Sequence, residues 1–162
     1  MDSVTPERAR ERQKTASEIR DSLRELRIQL ALLNYRVGSS VELRDVDMDC
    51  LDILDTYGPL SPSALARQAG VHPATMTGIL DRLEHGRWVV RERDPADRRA
   101  VRVRVDRERY GELLSHYSGL SRAMNKLLAG YGDDDLAVIA DFMRRCVDAG
   151  REATEAIRPA AH

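Results

Sequence analysis

Apolar residues recur on a helical period at both ends of the chain. In residues 19–37 the spacing alternates between four and three positions, and the same alternation recurs in residues 113–131. This repeat places apolar side chains in a seam along one helix face. A further apolar face runs through residues 136–157, after three acids at 133–135 that suit the first turn of a helix. The pattern predicts long helices at both ends, and Asp106 can cap the long fifth helix of the chain. A shorter second helix, with Asp47 as its cap, is predicted to end at Gly58.

The middle of the chain predicts two short helices joined by a tight turn. Residues 61–83 contain Gly70 at the turn, and Ser61 and His72 stand where they can cap the two helices, each directly before a proline. Small and apolar residues occupy one side of the second helix. Its other side carries His72, Ala74, Thr75, Thr77, Gly78, Asp81 and Arg82. A helix supported from behind, with small polar residues in front, suits insertion into a DNA major groove.

A basic hairpin is predicted over residues 89–105. Three valines at 101, 103 and 105 alternate with Arg102 and Arg104, which is typical of a strand with one buried face. The turn before this strand is rich in Asp, Pro and Arg, including Arg98 and Arg99. We therefore expect a mainly α fold with a small β wing, in which residues 45–105 form a winged helix-turn-helix.

Charge is distributed unevenly along the chain. The net charge is −1, but residues 87–104 hold seven arginines and three acids, whereas residues 42–55 hold six acids and one arginine. DNA responds to the field within about 8–10 Å, not to the sum over a molecule. A basic hairpin beside acidic segments fits a protein that contacts DNA on one side.

The same patterns predict the organisation of the chain. Residues 1–16 are polar and are expected to form a flexible N-terminal arm, with one domain over residues 17–162. The helices of residues 17–40 and 106–157 carry more apolar seam than one small domain can cover. We expect these helices to pair two chains in a homodimer.

Several classes of function find no support in the sequence. The two cysteines, Cys50 and Cys146, lie far apart, and neither they nor the histidines have the spacing of a metal site. Neither a catalytic grouping nor a cofactor-binding motif is found. Because there is also no signal peptide and no apolar run long enough to cross a membrane, we expect a cytoplasmic protein.

The order of elements resembles that of the MarR family of transcriptional regulators over about residues 17–157. The most specific part is the wing string at residues 94–101, DPADRRAV, with the family's Asp-x-Arg element at Asp97-Arg98-Arg99. The helix-turn-helix string at residues 65–84 fits the family pattern nearly throughout. Gly78 departs from it, because larger polar residues are common there.

This resemblance implies a homodimer on a pseudo-palindromic DNA operator, often repressing a nearby gene. It also implies release by a small aromatic or otherwise lipophilic effector, and pairing of Arg99 with Asp97 to hold the wing. In this interpretation Thr75, Thr77 and His72 lie near base edges or phosphates, and Arg82 binds phosphate. Arg98 and Arg99 reach the flanking minor groove. The full expected DNA-binding set is His72, Ala74, Thr75, Thr77, Gly78, Arg82, Arg93, Asp97, Arg98 and Arg99.

Effector binding is predicted less sharply. Candidate pocket residues lie where the first, second and fifth helices are expected to meet, and they are also plausible core residues: Tyr35, Met48, Leu51 and Tyr117. Two alternatives stay open. One is a winged-helix protein-interaction module without DNA binding, although such a module has no need of an arginine-tipped wing. The other is a thiol-based redox sensor, against which buried structural cysteines are the favoured interpretation.

Overall fold

The computed structural model describes residues 5–95, 97 and 99–157. Within them the chain is mainly helical with one antiparallel pair of strands, as the sequence predicted. The elements in chain order are α1 (Pro6–Ser40), α2 (Asp45–Tyr57), α3 (Pro62–Gln68), α4 (Pro73–His85), β1 (Val89–Arg93), β2 (Val101–Val105), α5 (Arg107–Ser115), α6 (Ser118–Leu128) and α7 (Asp133–Ile157).

Helix α1 begins earlier than the apolar seam. It starts at Pro6, where a missing N–H costs no helical hydrogen bond, so residues 6–16 of the expected arm are helical and largely exposed. The helix ends where the Leu43 N–H donates to the Gly38 carbonyl at 2.8 Å. Val37 and Gly38 are its buried residues.

Side-chain caps start three of the helices. The Ser61 hydroxyl accepts the Ala64 N–H at 3.2 Å, and His72 Nδ1 accepts the Ala74 N–H at 3.3 Å. Asp106 accepts the Arg109 N–H at 3.1 Å. These contacts confirm the predicted starts of α3, α4 and α5.

Helix α2 departs from the prediction that Asp47 is its cap. The helix begins at Asp45, and Asp47 is its third residue, with a side chain that accepts the Arg44 N–H at 3.0 Å. The reason is tertiary, because Asp47 is fully buried and ion-paired with α4. Sequence patterns for helix caps involve only neighbouring residues, so they cannot reveal a partner on α4.

The predicted long fifth helix is divided in two. Helix α5 ends at Ser115, and α6 begins at Ser118. At this end the His116 N–H bonds to the Leu113 carbonyl three residues back, and the Ser115 hydroxyl donates to the Glu112 carbonyl at 2.6 Å. Hydroxyl groups that compete for backbone carbonyls weaken a helix locally.

The two strands form an antiparallel ladder in which Val89 pairs with Val105 and Arg93 pairs with Val101. Leu60 adds a bridge to this ladder. Its N–H donates to the Val103 carbonyl at 3.0 Å, and its carbonyl accepts the Val103 N–H at 2.8 Å. The segment before α3 is thereby tied to the wing.

The chain divides at His116 into two compact units. The first unit has an apolar core drawn from α2 to α5 and both strands. Its most deeply buried members include Leu51, Leu54, Leu65, Met76, Leu80, Leu83, Val89, Val103 and Leu113. The second unit consists of α6 and α7, and among their described residues none is buried.

Candidate nucleic-acid interface

The two sides of α4 differ sharply in burial. Met76, Ile79, Leu80 and Leu83 are at most 2% exposed and face the core of the first unit. The turn before the helix depends on Gly70, whose φ of 66° lies in the left-handed region that favours glycine. Helix α4 is therefore held from behind by the core and from its start by the turn.

The outer side of the first half of α4 is exposed to solvent. Five of the predicted residues are exposed there: His72, Ala74, Thr75, Thr77 and Gly78. The Thr77 hydroxyl donates to the Pro73 carbonyl at 3.4 Å, which orients its methyl group. The surface is small and polar, with hydroxyl donors and no bulky side chain to block a groove.

The second half of α4 differs from the expected free face. Arg82 turns toward α2, where its Nε lies 3.0 Å from Asp47 Oδ2 and its Nη2 lies 2.5 Å from Oδ1. Hydrogen bonding to Asp47 raises the pKa of Arg82. Two guanidinium nitrogens are thus already bonded within the chain, and the predicted phosphate contact of Arg82 remains a prediction.

Asp81 stays 60% exposed but is also ion-paired. Its Oδ1 lies 2.5 Å from Arg91 Nη2 on β1, and Arg91 Nε lies 3.5 Å from Glu84 Oε2. One arginine of the wing therefore contacts two acids of α4.

Acids of the wing pair with two further arginines along its stem. Arg102 contacts Asp94, and Arg104 Nε lies 2.9 Å from Glu92 Oε2. These pairs place a carboxylate beside two of the seven arginines in residues 87–104. Arg93 is exposed and has no ion pair with any acid in the described part of the chain.

The wing tip is organised by Asp97. Its carboxylate accepts the Arg99 backbone N–H at 2.9 Å, and its carbonyl accepts the Ala100 N–H at 2.9 Å. The predicted contact between Asp97 and Arg99 therefore runs through the backbone, and the Arg99 side chain has no acidic partner among the described residues. Arg98 lies outside the described residues.

A buried aromatic residue that the sequence analysis missed supports the wing. Trp88 is 4% exposed, its carbonyl accepts the Asp106 N–H at 2.8 Å, and the Arg109 guanidinium lies 4.4 Å from its ring centroid. It stands between α4 and β1. A lone tryptophan directly before a β-strand was the available signal.

The predicted effector-pocket residues have different environments. Met48 and Leu51 are core residues at 3% and 0% exposure, whereas Tyr35 is 61% exposed. Tyr117 is half-buried at the start of the second unit. Two cavities, one beside Arg87 and Arg109 and one along residues 15–26 of α1, are lined by other residues, and the four positions remain predictions.

The two cysteines differ in burial. Cys50 is fully buried, as expected, and burial together with the neighbouring Asp47 and Asp49 raises its pKa to about 11. Such a thiol stays protonated at neutral pH. Cys146 is half-buried in the single chain, where a buried position was expected, and none of the described residues of its helix α7 is buried.

Two other kinds of site are absent from the described residues. No group of three or more His, Cys, Asp or Glu side chains is arranged to hold a metal ion. None of the described helices is long and apolar enough to pass through a membrane.

Comparison with known proteins agrees with this geometry. Residues 43–101 match the sequence model of the MarR family. The chain is 27% identical over 148 residues to the uncharacterized HTH-type transcriptional regulator YcgE of Bacillus subtilis, covering 91% of this chain and 94% of that protein.

Solved structures share the fold. A MarR-like transcriptional regulator from Thermotoga maritima superposes with a TM-score of 0.57 at 26% identity, covering 83% of this chain and 95% of that one. A mutant of MepR from S. aureus, solved bound to an oligodeoxyribonucleotide, superposes with a TM-score of 0.53 at 12% identity, covering 81% and 96% of the two chains.

Proposed function

We propose that this chain, a MarR-family transcriptional regulator, binds double-stranded DNA as a homodimer and represses transcription from a pseudo-palindromic operator. In this proposal α4 enters the major groove, and the wing tip contacts the adjacent minor groove.

The observation that carries the proposal is the asymmetry of α4. Its buried face is packed to at most 2% exposure, whereas its first half presents Thr75 and Thr77 to solvent beside small neighbours. Threonine can bond a base edge with its hydroxyl or pack its methyl on thymine. The exposed Arg99 guanidinium, free of an acidic partner among the described residues, supplies the complementary minor-groove contact.

Pairing of two chains is supported by apolar surface that the single chain leaves uncovered. In α7 alone, Phe142 is 40% exposed, Met143 43% and Val147 51%. Contiguous exposed apolar surface of this kind marks an interface. In a two-fold dimer the two copies of α4 are expected about 34 Å apart, one DNA turn.

The relation to MepR supports the DNA-binding part. That relative is described as bound to an oligodeoxyribonucleotide, and the shared fold supplies this chain with the same kind of helix and wing. Repression and response to a ligand are typical of the family. We extend them to this chain, with a small lipophilic effector that binds the DNA-free conformation more tightly and so shifts the population away from DNA.

The proposal is tested with the full chain. Sedimentation equilibrium at micromolar concentration should give a dimer. Selection from a pool of random duplexes should yield an inverted repeat, whose affinity is then measured by fluorescence anisotropy at several salt concentrations. A protein that stays monomeric, or that selects no sequence at low salt, would contradict the proposal.

A further inference from the structure

Two consecutive residues of α4 form ion pairs with different elements of the fold. Arg82 contacts Asp47 of α2, and Asp81 contacts Arg91 of β1. The two side chains leave the helix about 100° apart, because an α-helix turns through that angle per residue. Helix α4 is thus held on both flanks by charged partners from separate elements.

The α2 side of this arrangement is the more rigid. Asp47 is 0% exposed, and its carboxylate accepts two N–H groups of Arg82 and the Arg44 backbone N–H. A buried carboxylate is costly unless such donors satisfy it. The fork of a guanidinium on a carboxylate also fixes direction, since both hydrogen bonds must align together.

The β1 side is half-exposed but reaches two positions. Arg91 contacts Asp81 and also Glu84, which lie three residues apart on one helix face. The contact with Asp81 is a hydrogen bond of 2.5 Å, whereas Arg91 Nε lies 3.5 Å from Glu84 and forms no hydrogen bond with it. The bond to Asp81 is therefore the main contact that opposes rotation of α4 against the wing.

We infer that Asp47 and Arg91 are positioning residues that fix the rotation of α4 about its own axis, and so determine sequence discrimination on DNA. This inference rests on the proposed DNA-binding function. A rotation of about 10° moves atoms roughly 5 Å from a helix axis by about 1 Å. Hydrogen bonds to base edges tolerate only about half an ångström of variation in length, whereas attraction to phosphates changes little over that distance.

The test separates discrimination from overall affinity. Asp47→Asn keeps the shape of the side chain and an acceptor for the Arg44 N–H, but removes the charge and weakens the fork. Arg91→Gln breaks the half-exposed pair, which costs little stability. Asp55→Asn is the matched control, since Asp55 is an exposed acid of α2 without an ion pair among the described residues.

Dissociation constants are measured for the selected inverted repeat and for a scrambled duplex. We expect the ratio of the two constants to fall at least tenfold in Asp47→Asn and at least threefold in Arg91→Gln. Affinity for scrambled DNA should stay within twofold of the wild type. The salt slope, which is the slope of log K against the logarithm of the salt concentration, should be unchanged. Asp55→Asn should match the wild type.

Each other outcome overturns the inference. A uniform loss on both duplexes with a shallower salt slope would make these side chains or their partners phosphate contacts. If the folded Arg91→Gln protein discriminates as well as the wild type, Arg91 does not position α4. If the folded Asp47→Asn protein does so, Asp47 does not position α4. A wild-type protein that selects no sequence would contradict the proposed function, and this inference with it, whereas the other outcomes leave that function standing.

Discussion

The Trp88 ring lies so close to Gly86 that a Cβ built on residue 86 would be 2.7 Å from Trp88 Cδ1 and 2.9 Å from Nε1. Residue 86 directly follows α4, and Trp88 directly precedes β1. The close approach of these two residues therefore sets how helix α4 passes into the wing.

Gly86→Ala should destabilise the protein by about 1–3 kcal/mol, because the added methyl forces the buried indole to move. Gly78→Ala is the matched control. Its Cβ would meet nothing within 4 Å, and alanine is favoured over glycine inside a helix by about 0.8–1 kcal/mol. Urea unfolding should give a lower free energy of unfolding than the wild type for Gly86→Ala and a higher one for Gly78→Ala. Equal stability of Gly86→Ala and the wild type would show that Trp88 yields without cost.

Arg99→Ala should weaken DNA binding and reduce the salt slope by about one, since one guanidinium near the phosphates is lost. Combined with Arg98→Ala, the loss should reach at least about 2 kcal/mol. Anisotropy titrations at several salt concentrations measure both quantities. Arg104→Ala is the comparison, because Arg104 is already bonded to Glu92 and should change the slope less. Wild-type affinity and slope in the double variant would exclude the wing from the interface.

Phe142→Glu should convert the protein to monomers at micromolar concentration, because a carboxylate would be buried in an apolar interface without a partner. Arg144→Glu adds the same group to α7 two residues further on, about 200° around the helix, where the side chain is 68% exposed. Sedimentation equilibrium should find that control dimeric. A dimeric Phe142→Glu protein would place the interface elsewhere.

The thiol of Cys50 should be inert toward a thiol reagent at pH 7–8, since its pKa of about 11 leaves almost no thiolate. The half-buried Cys146 should react faster, and denaturant should release Cys50. Labelling time courses of the Cys50→Ser and Cys146→Ser variants show which cysteine reacts at which rate. Rapid labelling of Cys50 in the folded protein would restore the redox-sensing alternative.

Much of the architecture could be predicted because its signals are local. Ser61, His72 and Asp106 cap the helices that the sequence assigned to them, and alternating valines identify β2. Burial of one side of α4 likewise follows from the helical period of its apolar residues.

The differences arise where a polar residue has a distant partner. Asp81 and Arg82 lie on the polar side of α4 in the sequence pattern, but the structure commits both to ion pairs with β1 and α2. Asp47 and Arg82 are 35 residues apart, and no periodicity along either helix encodes their contact. The end of α5 was missed for a related reason, because the apolar seam continues through the hydrogen-bonding change at Ser115.

The ion pairs along the stem of the wing, Arg102 with Asp94 and Arg104 with Glu92, have a consequence for how such a regulator would find its target in a cell. A chromosome offers roughly 10⁶–10⁹ competing non-specific sites. A protein binds these sites mainly through those of its positive side chains that are free to contact phosphates. The arginines that are already ion-paired with Glu92 and Asp94 add little to this non-specific binding. If the chain acts as the proposed repressor, each molecule would spend less time bound to non-target sequence, and fewer copies per cell would suffice to occupy one operator.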